Sequence, residues 1–222
     1  MPDEYSCAIV CGGDFGEWEV GFLQHLSQKI YLIAVDHGMD YLCAAGIRPD
    51  VYIGDFDSVS KGSADILNTW QKSGEVEVIS LNPVKDDTDT EAALHLALER
   101  TQGRIIILGG MGGLRSDHFL SNVHILFQAA AVDREAFLVN ASNRIRVILK
   151  GITLPQNEQY GRYVSLFPLS GEVSGLTLEG FLYPLAKAVL KRGSSLGCSN
   201  EIIAREGQIS FVSGELIIVE SM

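Results

Sequence analysis

No cysteine in this sequence belongs to a CxxC pair, and the spacing of its cysteines and histidines matches no zinc site. The four cysteines, Cys7, Cys11, Cys43 and Cys198, are therefore expected to be reduced thiols that pack rather than cross-link. Long apolar runs are missing too. None approaches the roughly 18 residues needed to span a bilayer. The first residues, Met1-Pro2-Asp3-Glu4-Tyr5, lack the basic and apolar regions of a signal peptide, so a cytoplasmic protein is expected. Basic residues are scarce: 17 Lys and Arg stand against 28 Asp and Glu, for a net charge of −11. That balance argues against a nucleic-acid backbone or an anionic membrane as partner. There is no internal repeat and no low-complexity tract. No Gly-Lys-Ser/Thr follows the glycine-rich segments, which excludes a Walker A loop.

What is present is acid in clusters. Much of it lies between Asp36 and Asp89, and two groups stand out: Gly54-Asp55-Phe56-Asp57-Ser58 and Lys85-Asp86-Asp87-Thr88-Asp89. Each follows a strand-like apolar run. In extended backbone Asp55 and Asp57 point the same way. Like charges that close are unfavourable unless a cation lies between them. A second carboxylate group about thirty residues on can complete the cage. Hard oxygen ligands of this kind suit Mg²⁺, which usually also holds substrate phosphates. The residues thus point to metal-dependent phosphoryl transfer, with solvated turn aspartates as the plainer alternative.

The rhythm of the first part is alternating strand and helix. Apolar runs predict strands over 6–10, 30–35, 51–53, 76–80, 105–108 and 137–139. Helical spacing predicts helices over 18–28, 40–45, 64–71, 88–98 and 117–130. Thr88 with Glu91 forms a capping-box pattern. Repeated βα units imply a mostly parallel sheet with helices on both faces. Ligands bind such sheets beyond the carboxyl ends of the strands, where Asp36, Asp55 and the 109–113 turn are expected. After about residue 141 short strands take over, at 144–149, 163–167, 173–178, 208–212 and 216–219. Their Pro and Gly punctuation indicates an antiparallel sandwich or barrel. The expected organisation is an α/β domain over 1–142 and a β-sandwich domain over 143–222.

Three further segments carry possible chemistry. Gly110, Gly113 and Arg115 stand between a strand and a helix. Glycines there admit an anion to the backbone, and Arg115 can pair a phosphate bidentately. A purely structural turn fits the glycines alone; the neighbouring carboxylates favour phosphate. Asp117-His118 reads either as an acid/base pair or as a helix cap with a locally packed histidine. Gly197-Cys198-Ser199-Asn200-Glu201 reads either as an ordinary loop or as a polar surface for a ring ligand. Lys85 is a solvated turn residue or a neutraliser of phosphate charge.

Together these segments resemble the thiamine pyrophosphokinase (thiamine diphosphokinase) family. Gly46 to Ser58 is similar to its GI-x-PD…GDFDS segment, 85–89 to its KDxTD element, 110–118 to its G-x-x-G-x-R-x-DH turn, and 197–201 to its SN-containing loop. The resemblance implies a catalytic α/β domain, a C-terminal sandwich, and a homodimer with active sites between one subunit's α/β domain and the other's sandwich. It implies transfer of a diphosphoryl group from ATP to the hydroxyl of thiamine. Asp55, Asp57 and Asp89 would hold Mg²⁺, and Asp86 and Thr88 would support them. Lys85 and Arg115 would neutralise phosphate. Asp36, Gly110, Gly113 and Asp117 would belong to the nucleotide site, and Ser199 and Asn200 would meet the aminopyrimidine. Asp55 or Asp57 would accept the hydroxyl proton.

Two departures stand out. The family's DGGAN turn appears here as Asp36-His37-Gly38-Met39-Asp40. Both tryptophans lie in the first half, so an aromatic platform in the sandwich would fall to Tyr183 or Phe181. Two rivals remain. Asp55-Phe56-Asp57-Ser58-Val59 also fits the DxDx[T/V] pattern of haloacid-dehalogenase-type phosphatases, with Asp55 as nucleophile. A non-catalytic nucleotide or vitamin sensor would keep the pocket without needing every carboxylate.

Overall fold

Cys7, Ala8, Ile9 and Val10 are all completely buried, and they form the centre of the first of two compact units. The structure is a computed structural model that describes residues 5–26, 30–55, 58–81 and 87–222. One unit comprises Met1–Ile125 with Arg134–Ala141, the other Leu126–Asp133 with Ser142–Met222. Asp57, Lys85 and Asp86 lie outside the described residues.

In the first unit the strands are β1 (Tyr5–Val10), β2 (Tyr31–Val35), β3 (Val51–Gly54), β4 (Glu77–Ser80), β5 (Arg104–Leu108) and β6 (Ala136–Asn140). They lie in the order β4-β3-β2-β1-β5-β6, and each neighbouring pair is parallel. The helices between them are α1 (Glu17–His25), α2 (Gly38–Ala44), α3 (Lys61–Ser73), α4 (Asp89–Arg100) and α5 (Ser116–Ala131), the last of which passes into the other unit from Leu126 onward. From β1 the chain steps outward to β4, then returns past β1 to β5 and β6. Right-handed crossovers in opposite directions place α1–α3 on one face and α4 and α5 on the other. That sandwiching explains why β1, β2, β3 and β5 are apolar along nearly their whole length. The edge strand β4, by contrast, buries neither end.

Local chemistry sets the helix ends. The Thr88 hydroxyl accepts a hydrogen bond from the Glu91 N–H at 3.2 Å, capping α4 as the sequence predicts. The Ser60 hydroxyl does the same for α3 with Ser63. At the other end of α3, Gly74 takes φ 73°, the left-handed cap that a side chain would disfavour.

The second unit is antiparallel. Strand β13 (Leu216–Ser221) pairs with β7 (Asn143–Ile148) on one side and β9 (Tyr163–Pro168) on the other. A second sheet runs β11 (Leu185–Lys191), β10 (Glu172–Glu179), β12 (Glu206–Ser210), β8 (Ile152–Pro155). Burial alternates residue by residue along β13 and β12, as expected where one face meets a core and the other meets water. That core draws on both sheets: Val164, Leu166 and Ile218 from one, Val173, Leu178 and Ile209 from the other. The unit is therefore the β-sandwich the sequence predicts. The strands β8 and β11 were not expected from the sequence.

Candidate active site

Strand order reverses between β1 and β5, so the chain segments leaving these two strands diverge and open a cleft at their carboxyl ends. The cleft has a volume of about 590 Å³. Asp36, Asp55, Asp89, Gly110, Gly113 and Arg115 all line it. These sequence-predicted residues come from the ends of β2 and β3, the start of α4, and the segment between β5 and α5. Thr88 acts one residue away, as the cap of the helix that begins with Asp89.

Two loops form the floor. Before they part, the segment after β1 lies against the segment after β5, and backbone bonds tie them together: Gly13 N–H to the Gly109 carbonyl at 2.7 Å, and Asp14 N–H to the Met111 carbonyl at 3.1 Å. The contact is too close for side chains. A Cβ on Gly13 would stand 2.5 Å from the Gly109 oxygen, and one on Gly109, at φ 65°, would stand 2.4 Å from the Cys11 oxygen. The glycines thus admit backbone to backbone, a structural requirement that stands beside the anion-binding reading. Asn122 of α5, almost fully buried, fixes the turn by donating from Nδ2 to the Gly110 carbonyl at 2.9 Å.

The carboxylates are placed with similar economy. Asp36 adopts φ 49°, in the left-handed region where aspartate is among the better tolerated side chains. A Cβ on Gly54 would lie 2.5 Å from Asp36 Oδ1 and 2.5 Å from the Tyr52 hydroxyl. Glycine at 54 therefore lets the Asp36 carboxylate fold in beside the backbone that presents Asp55. Asp89 starts α4, whose next residue, Thr90, is buried within 3.5 Å of the Cys11 sulfur. Among the described residues no three His, Cys, Asp or Glu side chains converge on a metal position. Two cleft carboxylates suit Mg²⁺, which is commonly held by one or two carboxylates, water and substrate phosphates.

Arg115 is exposed and forked onto Asp117, with Nε 2.9 Å from Oδ1 and Nη2 2.6 Å from Oδ2. Its guanidinium holds the Asp117 carboxyl far below the usual carboxylate range. Asp117 thus serves Arg115 from inside the first turn of α5 and is not the residue preceding it, as a cap would be. His118 lines the cleft and is exposed. Asp14, Tyr41 and Asn122 also line it, and sequence reasoning missed them. The Gly12-Gly13 pair beside Asp14 was the available signal.

Ser199 and Asn200 sit in the second unit. Ser199 has φ 54° and its N–H donates to the Ser165 hydroxyl at 2.9 Å. Asn200 is 5% exposed, and its Oδ1 accepts from the N–H groups of Tyr183 and Glu201, both at 2.9 Å. Of the two candidate aromatics, Phe181 is packed in the sandwich core, whereas Tyr183 is 63% exposed.

A switch-point cleft bearing carboxylates and an arginine, joined in one chain to a β-sandwich, defines a two-domain α/β enzyme of the phosphoryl-transfer class. The particular family follows from comparison with known proteins. Residues 22–138 match the model of the thiamin pyrophosphokinase catalytic domain, and residues 151–216 match that of its vitamin B1 binding domain. Thiamine pyrophosphokinase of Bacillus subtilis (strain 168) is 35% identical over 196 residues, covering 85% of this chain and 86% of that protein. A crystal structure of the Bacillus subtilis enzyme superimposes with a TM-score of 0.86 at 33% identity, covering 97% of this chain and 98% of that one. The thiamin pyrophosphokinase of Geobacillus thermodenitrificans gives 0.82 at 34% identity, covering 97% of each. The chain belongs to the thiamine pyrophosphokinase family.

Proposed function

We propose that this chain transfers a diphosphoryl group from ATP to the hydroxyl of thiamine, releasing thiamine diphosphate and AMP. The observation that carries the reading is the meeting of Asp55 and Asp89 on one switch-point cleft, in a chain whose two parts match both domains of the family. Residues 1–142 are assigned as the ATP-binding catalytic domain and 143–222 as the thiamine-binding domain.

Asp55 and Asp89, with Asp57, are the residues that would hold Mg²⁺. Bound there, the ion would supply neutralising charge on the triphosphate. Asp36 and Gly110 and Gly113 shape the nucleotide side of the cleft. Arg115, released from Asp117 or shared with it, neutralises phosphate charge as it builds, and Lys85 does the same from the KDxTD element. Asp86 and Thr88 support Asp89, Thr88 by fixing the start of α4. Asp55 or Asp57 accepts the proton of the thiamine hydroxyl. Ser199 offers its hydroxyl to the aminopyrimidine, while Asn200 shapes the same surface by holding Tyr183. In phosphoryl transfer, positioning and charge stabilisation carry most of the catalysis, which fits a site rich in fixed charges.

A homodimer accompanies the reading. Leu182, Tyr183 and Ile203 lie near Asn200 and are all substantially exposed, apolar surface that a second copy would cover. A cytoplasmic location fits an ATP-using enzyme. Among the described residues no helix is long and apolar enough to cross a membrane.

The phosphatase alternative is not favoured: Asp55 stands at the end of the third strand of a unit that matches a different catalytic family. The experiment is a product assay with ATP, Mg²⁺ and thiamine. AMP and thiamine diphosphate formed in equal amounts, and abolished by EDTA, support the proposal. ADP or free phosphate as product overturns it, and thiamine binding without turnover supports the sensor.

A further inference from the structure

We propose that His37 is a nucleotide-contacting residue of the cleft, held in place by Asp40 and Ser60; the assignment rests on the reading of the cleft as an ATP site. His37 replaces a glycine of the family's DGGAN turn, so nothing in the family pattern assigns it a role.

The imidazole is fixed from several sides. Its Nδ1 lies 2.8 Å from Asp40 Oδ2. The Asp40 carboxylate is itself held by Ser60, whose N–H donates at 3.1 Å and whose hydroxyl donates as well. Burial pushes the Asp40 carboxyl up, but the hydrogen bonds of Ser60 and Ser63 and the nearby His37 outweigh it and hold the group below its usual range. The ring meets Tyr41 edge-on at 4.9 Å. Tyr41 is stacked on Phe15 at 5.0 Å and donates its hydroxyl to the Gly13 carbonyl at 2.9 Å. Behind the ring, a Cβ on Gly12 would come within 2.9 Å of His37 Cβ.

Helix capping does not account for this arrangement. His37 precedes α2 but makes no side-chain cap hydrogen bond. Core packing does not account for it either, since the side chain is 46% exposed and lines the cleft. With Nδ1 committed to Asp40, Nε2 is the nitrogen the ring offers to a bound molecule, the usual consequence of a carboxylate holding one side of an imidazole. Its neighbours in the cleft are the paired loops at the ends of β1 and β5, the region assigned to the nucleotide. An oxygen of ATP is therefore its partner, whether on phosphate or ribose. Met39, two residues on, is fully buried and takes no part.

The test compares His37→Ala, His37→Gln and Asp40→Asn with the wild type. In His37→Ala the KM for ATP should rise about tenfold, the loss expected for a hydrogen bond to a charged group. The thiamine KM should stay within about twofold. Asp40→Asn should raise the ATP KM by a smaller factor, and His37→Gln should recover part of the loss. Calorimetric titration of ATP without thiamine should show the same order. Titrating AMP and inorganic triphosphate separates a ribose from a phosphate contact. An ATP KM and Kd unchanged in His37→Ala, with an unchanged melting temperature, overturns the proposal; so does an equal rise for both substrates. A wild-type protein that makes no thiamine diphosphate, yet binds ATP in a His37-dependent way, sinks the reaction and upholds His37.

Discussion

Asn200 grips both backbone groups of Tyr183: Nδ2 donates to the carbonyl at 2.8 Å and Oδ1 accepts from the N–H at 2.9 Å. A side-chain amide that reproduces a strand's pairing in this way fixes the segment that carries an exposed aromatic ring. Oδ1 also takes the Glu201 N–H, so its two lone pairs are both used. Asn200→Ala would leave part-buried backbone groups without these partners, at about 1 kcal/mol. The expected outcome is a lower denaturant midpoint and a raised thiamine KM, with the ATP KM unaffected. Unchanged stability would show that water replaces the amide without loss.

Glycine at 54 has a sharper consequence. Gly54→Ala would drive a methyl group into the Asp36 carboxylate and the Tyr52 hydroxyl, both at 2.5 Å from the added atom. The Asp36 carboxylate and the Tyr52 hydroxyl must give way, or the backbone that presents Asp55 must shift. A displacement of about 1 Å in such a site can cost on the order of 100-fold in rate, and a loss of that size in kcat/KM is expected. Wild-type turnover in this variant would mean that the position of Asp36 is irrelevant to the reaction.

Asp55→Asn and Asp89→Asn keep shape and remove charge. Each should lower turnover by about 100-fold or more, the scale of losing one preorganised electrostatic contact. Circular dichroism and the melting temperature should stay close to those of the wild type. The Mg²⁺ concentration giving half-maximal rate should rise in both variants. A rate loss without any change in that concentration would separate the carboxylate from the metal.

The fold was largely legible because its signals are local. Continuous apolar runs mark parallel strands buried on both faces, and Thr88 caps the helix its spacing announces. The sandwich was harder to read. Strand β11 carries register shifts against β10 and a residue, Lys187, at φ 49°, so its apolar residues do not alternate cleanly. Strand β8 is four residues long and ends on proline. In the cleft, Asp55, Asp89 and Arg115 were visible as motifs. Tyr41 from α2 and Asn122 from α5 reach it only because the fold brings elements far apart in sequence together, which no local pattern encodes, and Asp14 had only the Gly12-Gly13 pair beside it as a signal. The exposure of Tyr183 against the burial of Phe181 likewise depends on packing.

Stability should fall at alkaline pH. Burial, chiefly, pushes the thiols of Cys7 and Cys11 up to about 12. In the unfolded chain they ionise near 8.5, roughly. The unfolded state therefore loses these protons first, and each thiol's contribution, complete below about pH 8.5, declines as pH rises toward about 12. Urea unfolding at a series of pH values should show this decline, and Cys7→Ala with Cys11→Ala should flatten it. An identical slope in the double variant would assign the effect elsewhere.

The backbone contact between the loops after β1 and β5 makes them a single heritable unit. Because a side chain at Gly13 would meet the Gly109 carbonyl and one at Gly109 would meet the Cys11 carbonyl, neither loop can be exchanged alone. A chimaera that takes residues 109–113 from a relative should fold well only with that relative's 11–14 segment. Insertions tolerated elsewhere on the surface should be absent from both loops together, so changes of sequence here must come in pairs.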